Sequence, residues 1–312
     1  MSAVKSTAGS TASGGVTGVC PVISAAFDES GAIDLAGFGR IAEFLVGSDV
    51  SSVMVFGVAT ENAKLDDSER EAMLDTLLRV TRGTGVRTVA TVADHSTELA
   101  VARAKKWQDM GADLINILPS YFLQPPHDQV RDHLAAIMEA VDLPVIIQSL
   151  PVGGAELPVA DILELRHDHP TLTQIKVENV PAADLVEQVV NLTGGQVTPL
   201  VGWGGLEWVE CADRGAVGVQ PGCSLIEIYR AAQQRLDADD REGFEREFQP
   251  LHDPLHVWMR HVEALIQAEK YVLMRRGIID SDYCRKPSHR LDPLDYEHAD
   301  TLIDYVTAMA GA

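Results

Sequence analysis

The sequence predicts an α/β protein, a (β/α)8 or TIM barrel followed by a C-terminal helical segment. Three observations predict it. Short apolar runs of strand length alternate with stretches of helical periodicity eight times between Gly18 and residue 236. Such alternation implies a parallel sheet whose strands are joined by crossover helices. The phosphate loops that an open doubly wound sheet would normally display, G-x-G-x-x-G after the first strand or G-x-x-x-x-G-K-[ST], are not in the sequence.

Taken in order, GVCPVIS (18–24) reads as the first strand. The helix DLAGFGRIAEFLVG (34–47) follows, with Leu35, Phe38, Ile41 and Leu45 on one face. SVMVFG (52–57) is a strand, and 66–83 a helix with acidic residues in its first turn and Gly83 after its last. RTVATV (87–92) leads to a helix over 96–111, where Ser96 and Glu98 approximate a capping box with the glutamate one place early. DLINIL (113–118) precedes the helix 127–141, and PVIIQS (144–149) precedes 158–167. LTQIKV (172–177), QVTPLVG (196–202) and AVGVQ (216–220) are the last three strands, with helices over 182–191, 206–214 and 224–236. Residues 237–312 switch to helix alone, a lid or an oligomerisation element. The expected organisation is a disordered tail (1–15), the barrel (16–236) and the helical segment (237–312).

The chain has 312 residues, 46% of them hydrophobic and only 5% aromatic, a composition suited to helices covering a sheet. Its formal charge of −21 repels nucleic acid phosphates and anionic membranes, while leaving a local pocket free to take a small anion. Cys20, Cys211, Cys223 and Cys284 form no C-x-x-C pair, so free thiols in a reducing cytosol are expected rather than zinc or disulfides. The N-terminal stretch lacks the apolar core of a secretory signal, and no apolar run approaches the ~20 residues of a membrane helix. A cytoplasmic location is expected.

One residue stands out against this background. Lys176 sits inside an apolar strand, although lysine is among the residues least often buried. Period-two alternation puts Leu172, Gln174 and Lys176 on one face and Thr173, Ile175 and Val177 on the other. Lys176 lies near the C-terminal end of its strand, where barrel active sites are built. Loss of hydration there favours the neutral amine, a nucleophile that forms an imine with a ketone. The alternative is a lysine that snorkels to solvent or pairs with Glu178.

Five segments carry a resemblance: FGVATEN (56–62) after the second strand, LPSYFLQPP (118–126) after the fourth, IIQSLP (146–151) on the fifth, IKVEN around Lys176 on the sixth, and GAVGVQPG (215–222) at the eighth. Their order, from about Gly18 to the final helices, resembles the dihydrodipicolinate synthase and N-acetylneuraminate lyase superfamily, Schiff-base lyases built on this barrel. The resemblance implies a covalent imine on Lys176 with no metal or other cofactor. It implies a small 2-keto acid as substrate, and a homo-oligomer, commonly a tetramer. It implies a carboxylate-binding loop at Gly57, Val58, Ala59 and Thr60, beside Glu61, and a relay tyrosine at Tyr121. Gln148 stands where typical members carry a second tyrosine, and Gly153 where the synthases carry an arginine for a second carboxylate. Those departures argue against the amino-acid-like aldehyde of the synthase. With GVCPV at the first strand, Thr60–Glu61, and EKYVLMRRGII (269–279), they resemble the branch containing L-2-keto-3-deoxyarabonate dehydratase.

The implied reaction is loss of water from a 2-keto-3-deoxy sugar acid. Lys176, Tyr121, Gln148 and Thr60 would be catalytic, with Gln148 holding a substrate hydroxyl or a water. Gly57, Val58, Ala59, Glu61, Ser149, Glu178, Trp203 and Gln220 would contact substrate. A pyruvate-dependent aldolase uses the same imine and breaks C3–C4 instead; a dihydrodipicolinate synthase-like enzyme comes next. A non-catalytic keto-acid-binding barrel is the reading of another class. His95, after the third strand, is expected near the pocket, and His167 and His169 at the surface. Trp203 and Trp208 either shape the pocket or cap the barrel.

Overall fold

The computed structural model describes residues 14–120, 122–150 and 157–311. Eight parallel strands, β1 (Gly18–Val19), β2 (Ser52–Val55), β3 (Arg87–Val92), β4 (Leu114–Ile117), β5 (Val145–Ser149), β6 (Leu172–Val177), β7 (Thr198–Val201) and β8 (Gly218–Val219), run in the order β1-β8-β7-β6-β5-β4-β3-β2. The ring closes where Val22 bridges Met54: the Ile23 amide donates to the Met54 carbonyl, and the Met54 amide to the Pro21 carbonyl, both at 2.9 Å. Between the strands lie α1 (Leu35–Gly47), α2 (Asp67–Thr81), α3 (Thr97–Met110), α4 (His127–Glu139), α5 (Val159–Asp168), α6 (Ala182–Thr193) and α7 (Trp208–Asp213), with α8 (Ile226–Asp237) after β8. The predicted barrel is the observed one.

Two apolar layers hold it. Outward-facing strand residues such as Val55, Ile147 and Ile175 pack against the helices in one large core. Inside the ring, Val16, Cys20, Val22, Met54, Val89, Leu114, Ile146 and Leu200 form a separate small cluster. Strict alternation along β6 fails at one point. Leu172 belongs to the outer core with Ile175 and Val177, because the pairing with β5 shifts between Val145 and Ile146. Beyond the shift the expected faces hold, and Gln174 and Lys176 point inward.

Gln174 closes the bottom of the barrel. Its side chain accepts from the Val16 amide at 2.5 Å and donates to the Val16 carbonyl at 2.8 Å. Arg87 donates to the carbonyls of Gly15 at 2.9 Å and Gly14 at 2.6 Å. Gly14 and Gly15, expected in the tail, are therefore anchored to the barrel; the rest of the predicted tail lies outside the described residues. Helix entry also departs once from expectation. Ser96 does not cap α3 through its hydroxyl, which donates to Glu98 at 2.5 Å instead. Full capping boxes form at Asp66/Glu69 and Asp292/Asp295.

The helical segment is α9 (Arg241–Trp258), α10 (Val262–Arg275) and α11 (Pro293–Ala310), and the chain bends between α9 and α10 at 259–261. Trp208 of α7 packs edge-on against Phe244 and Phe248 of α9, centroids 4.9 and 5.6 Å apart, so it fastens the segment to the barrel. All four cysteines are free and buried. Burial pushes the thiols up, to about 12 for Cys211, Cys223 and Cys284, so they stay protonated at neutral pH. No helix among the described residues is long and apolar enough to cross a membrane.

Candidate active site

The inward parity of β6 and its end position bring Lys176 to the upper rim of the barrel interior, 4% exposed. Its Nζ lies 3.0 Å from Glu178 Oε1. Gln148, its register partner on β5, donates to Glu178 Oε2 at 2.6 Å. Asn116 of β4 donates to Gln148 Oε1 at 3.0 Å and approaches Thr91 Oγ1 of β3 at 3.3 Å. A polar chain thus crosses four neighbouring strands and ends on the lysine. Each charge in it is buried and partnered, the condition under which buried charge is tolerated. The Trp203 amide adds a third donor to Glu178 at 3.3 Å. Asn116 and Thr91 were not foreseen. Their signal was available: both are polar residues at inward positions, Asn116 in an otherwise apolar strand, and they are register partners.

Above the lysine is a cavity of about 210 Å³. Lys176, Glu178 and Gln220 supply its polar wall. Val58 and Ala59 enter from the helical turn Val58–Thr60 after β2, Leu150 from the end of β5, and Trp203 from the turn after β7. Met259, Val262 and Leu265 close one side from the α9–α10 bend. The helical segment is therefore a wall of the cavity. As the first amides of a short helical turn, those of Val58 and Ala59 have no partner within the turn. Among the described residues no group of three His, Cys, Asp or Glu is arranged to hold a metal ion.

The structure separates the sequence-predicted residues. Lys176, Glu178, Gln220, Val58, Ala59 and Trp203 meet at the cavity, and Gln148 stands behind Glu178. Gly57 opens the turn, where a Cβ would come within 2.7 Å of Val22. Thr60 is fully buried and its hydroxyl donates to the Ile23 carbonyl at 2.7 Å, so it fastens the turn to the first strand's extension. Ser149 donates to Asn179 Oδ1 at 2.8 Å. Glu61 is placed away from the cavity wall, in a fully buried ion pair with Lys270 of α10, and it also accepts from Lys64 at 3.1 Å. The physical reason is its left-handed backbone (φ 56°), which ends the turn and carries the side chain toward the helical segment. His95 lies beside Phe122, ring centroids 6.5 Å apart, and is not part of the cavity wall; Trp208 is a core residue. Tyr121 and Gly153 lie outside the described residues.

Two adjacent residues of α10 hold two of the loops that frame the cavity. Lys270 pairs with Glu61 and donates to the Tyr283 carbonyl at 3.0 Å, its ammonium 4.2 Å from the Phe27 ring centroid. Glu269 accepts from the amides of Cys223 at 2.7 Å and Ser224 at 2.8 Å, in the loop after β8. Burial pushes the Glu269 carboxyl up while those amides pull it down, with burial the larger effect. Gly222 is required beside it, since a Cβ there would collide with the carboxylate.

Fold and site together define a class: a (β/α)8 barrel with a cavity at the C-terminal strand ends and a buried lysine in its wall. The chain belongs to the dihydrodipicolinate synthetase family, whose signature matches residues 15–309, and is of that family's lyase class. It is similar to L-2-keto-3-deoxyarabonate dehydratase of Azospirillum brasilense, 22% identical over 287 residues, 88% of this chain and 90% of the relative. It is similar to 4-hydroxy-tetrahydrodipicolinate synthase of Prochlorococcus marinus, 28% identical over 242 residues, 74% of this chain and 78% of the relative. In structure it resembles the sialic acid aldolase of Ruminococcus gnavus, with a TM-score of 0.85 at 19% identity over 94% of this chain and 97% of that one. The same aldolase is known as a catalytic lysine mutant.

Proposed function

We propose that the protein is a Schiff-base lyase. It dehydrates a 2-keto-3-deoxy acid bearing a C4 hydroxyl, the reacting unit of the 2-keto-3-deoxy sugar acids, through an imine on Lys176. The observation that carries this reading is the buried Lys176 amine at the cavity wall, 3.0 Å from a carboxylate held by Gln148. Lys176 passes a proton to Glu178 and attacks C2. The C–N bond forms, and the ketone oxygen leaves as water. A base removes a C3 proton, and the electron pair moves into the iminium nitrogen. The enamine then expels the C4 hydroxyl, which takes up a proton and departs as water. Hydrolysis of the imine returns Lys176 and the dehydrated keto acid. Both ends of the Gln148 amide are engaged within the protein, so we assign it to positioning Glu178 rather than to holding substrate. The first amides of the Val58–Thr60 turn receive the substrate carboxylate.

The named dehydratase relative supports the dehydration, and the catalytic lysine of the sialic acid aldolase supports an imine on this fold. Retro-aldol cleavage shares every step up to the iminium, so the products decide between them. The test is mass spectrometry after borohydride reduction with pyruvate and with 2-keto-3-deoxy acids, alongside product analysis without reductant. A reduced adduct on Lys176 and a product 18 mass units lighter than the substrate are expected. Pyruvate plus an aldehyde would replace dehydratase by aldolase. No adduct with any keto acid would leave a binding protein.

Gly202 gives a second check. A Cβ there would lie 2.7 Å from Glu178 Oε1 and closer still to its Cγ. Gly202→Ala therefore moves the carboxylate from its place against Lys176. It is expected to lower kcat/KM roughly a hundredfold, with the melting temperature read in parallel to exclude unfolding.

A further inference from the structure

The walls beyond the lysine constrain the substrate past C4. The keto acid head uses Lys176, Glu178 and the amides of the β2 turn. What the described residues then offer to C5 and beyond is Leu150, Trp203, Met259, Val262 and Leu265, contributed by three separate segments. A hydroxyl moved from water against such walls loses its hydrogen bonds without replacement. A methylene moved there gains by leaving water. One acceptor remains in the wall. Gln220 Oε1 is buried and has no partner among the described residues, while the amide's other end approaches Cys20 Sγ at 3.5 Å. One unpartnered acceptor matches one hydroxyl, and the reaction itself supplies that hydroxyl at C4.

We propose that the preferred substrate is a 4-hydroxy-2-keto acid whose chain beyond C4 is hydrocarbon, alkyl or aryl, with Gln220 taking the C4 hydroxyl. This rests on the imine reading and narrows its substrate class: among the described residues past the lysine, the walls offer the further hydroxyls of a sugar acid no side-chain polar group but the Trp203 indole.

The experiment compares two acids of one six-carbon skeleton on the full-length protein: 4-hydroxy-2-oxohexanoate and 4,5,6-trihydroxy-2-oxohexanoate. Borohydride trapping on Lys176 and kcat/KM are measured for each, with pyruvate as the adduct control. The monohydroxy acid is expected to have the higher kcat/KM by about tenfold or more. Lengthening its tail is expected to add about fourfold per methylene until the cavity is full. Val262→Thr, which keeps the shape and adds a hydroxyl, is expected to move the ratio toward the trihydroxy acid by about tenfold. Leu265→Asn is a second variant with the same direction, and the wild-type ratio needs no variant at all. If both acids trap on Lys176 and the trihydroxy acid is turned over equally well or better, the hydrocarbon tail is overturned and the imine stands. If neither acid nor pyruvate traps, the imine reading falls and this inference falls with it.

Discussion

Replacing Lys176 by arginine is expected to lower turnover at least about ten-thousandfold while leaving a folded protein. Arginine retains a positive charge to face Glu178, but its guanidinium stays protonated and does not condense with a ketone. The substitution therefore separates the ion pair that Lys176 makes with Glu178 from the covalent bond proposed for it. Lys176→Ala removes both. It leaves Glu178 with the Gln148 amide and the Trp203 amide as its neighbours, so activity and stability fall together and the cause is confounded. The paired measurement is turnover with borohydride-trapped mass for the arginine variant, beside its thermal melt. Turnover within tenfold of the parent would sink the imine.

The second large effect lies away from the chemistry. Lys270→Met is expected to destabilise the fold by about 3–5 kcal/mol, read from the urea midpoint at constant slope. Lys270 and Glu61 are both fully buried. Removing the ammonium leaves the Glu61 carboxylate with Lys64 as its ion-pair partner and the Tyr283 carbonyl without its donor. Breaking one side of a buried pair costs far more than replacing both sides. The double variant Lys270→Met with Glu61→Gln is therefore expected to recover most of the loss. Recovery would show the cost to be an uncompensated charge; no recovery would assign it to packing against Phe27. Because Glu61 ends the turn that carries Val58 and Ala59, the single variant is also expected to raise KM for any keto acid that still binds.

The barrel was legible because its two periodicities differ and because each strand is short, apolar and bounded by turn residues. Lys176 was legible for the opposite reason: it broke the apolar run that contained it. Chain spacing fixed its neighbour Glu178 but not the route from Gln148 to that carboxylate, which depends on the register of β5 against β6. Leu172 was placed on the wrong face by the same dependence, since a shift in pairing is a property of two strands and shows in neither alone. Glu61 was misassigned because a left-handed residue at the end of a turn redirects its side chain, and that backbone state is not written in residue type. Lys270 did leave a trace. It falls in step with Ile266 and Leu273, both buried, on one stripe of α10, a charge where the pattern calls for an apolar residue. Its partner, 209 positions earlier, carried no matching trace.

The bend between α9 and α10 has a consequence for how this enzyme can diversify. The strand ends carry Lys176 and its polar neighbours, whereas an appended segment, coded after the barrel is complete, carries one side of the cavity. The lysine and the outer wall are thus inherited on different stretches of the chain. Changes near residues 259–265 can reshape the cavity without touching Lys176 or Glu178, and a barrel cut free of its last helices would lose one side of that cavity.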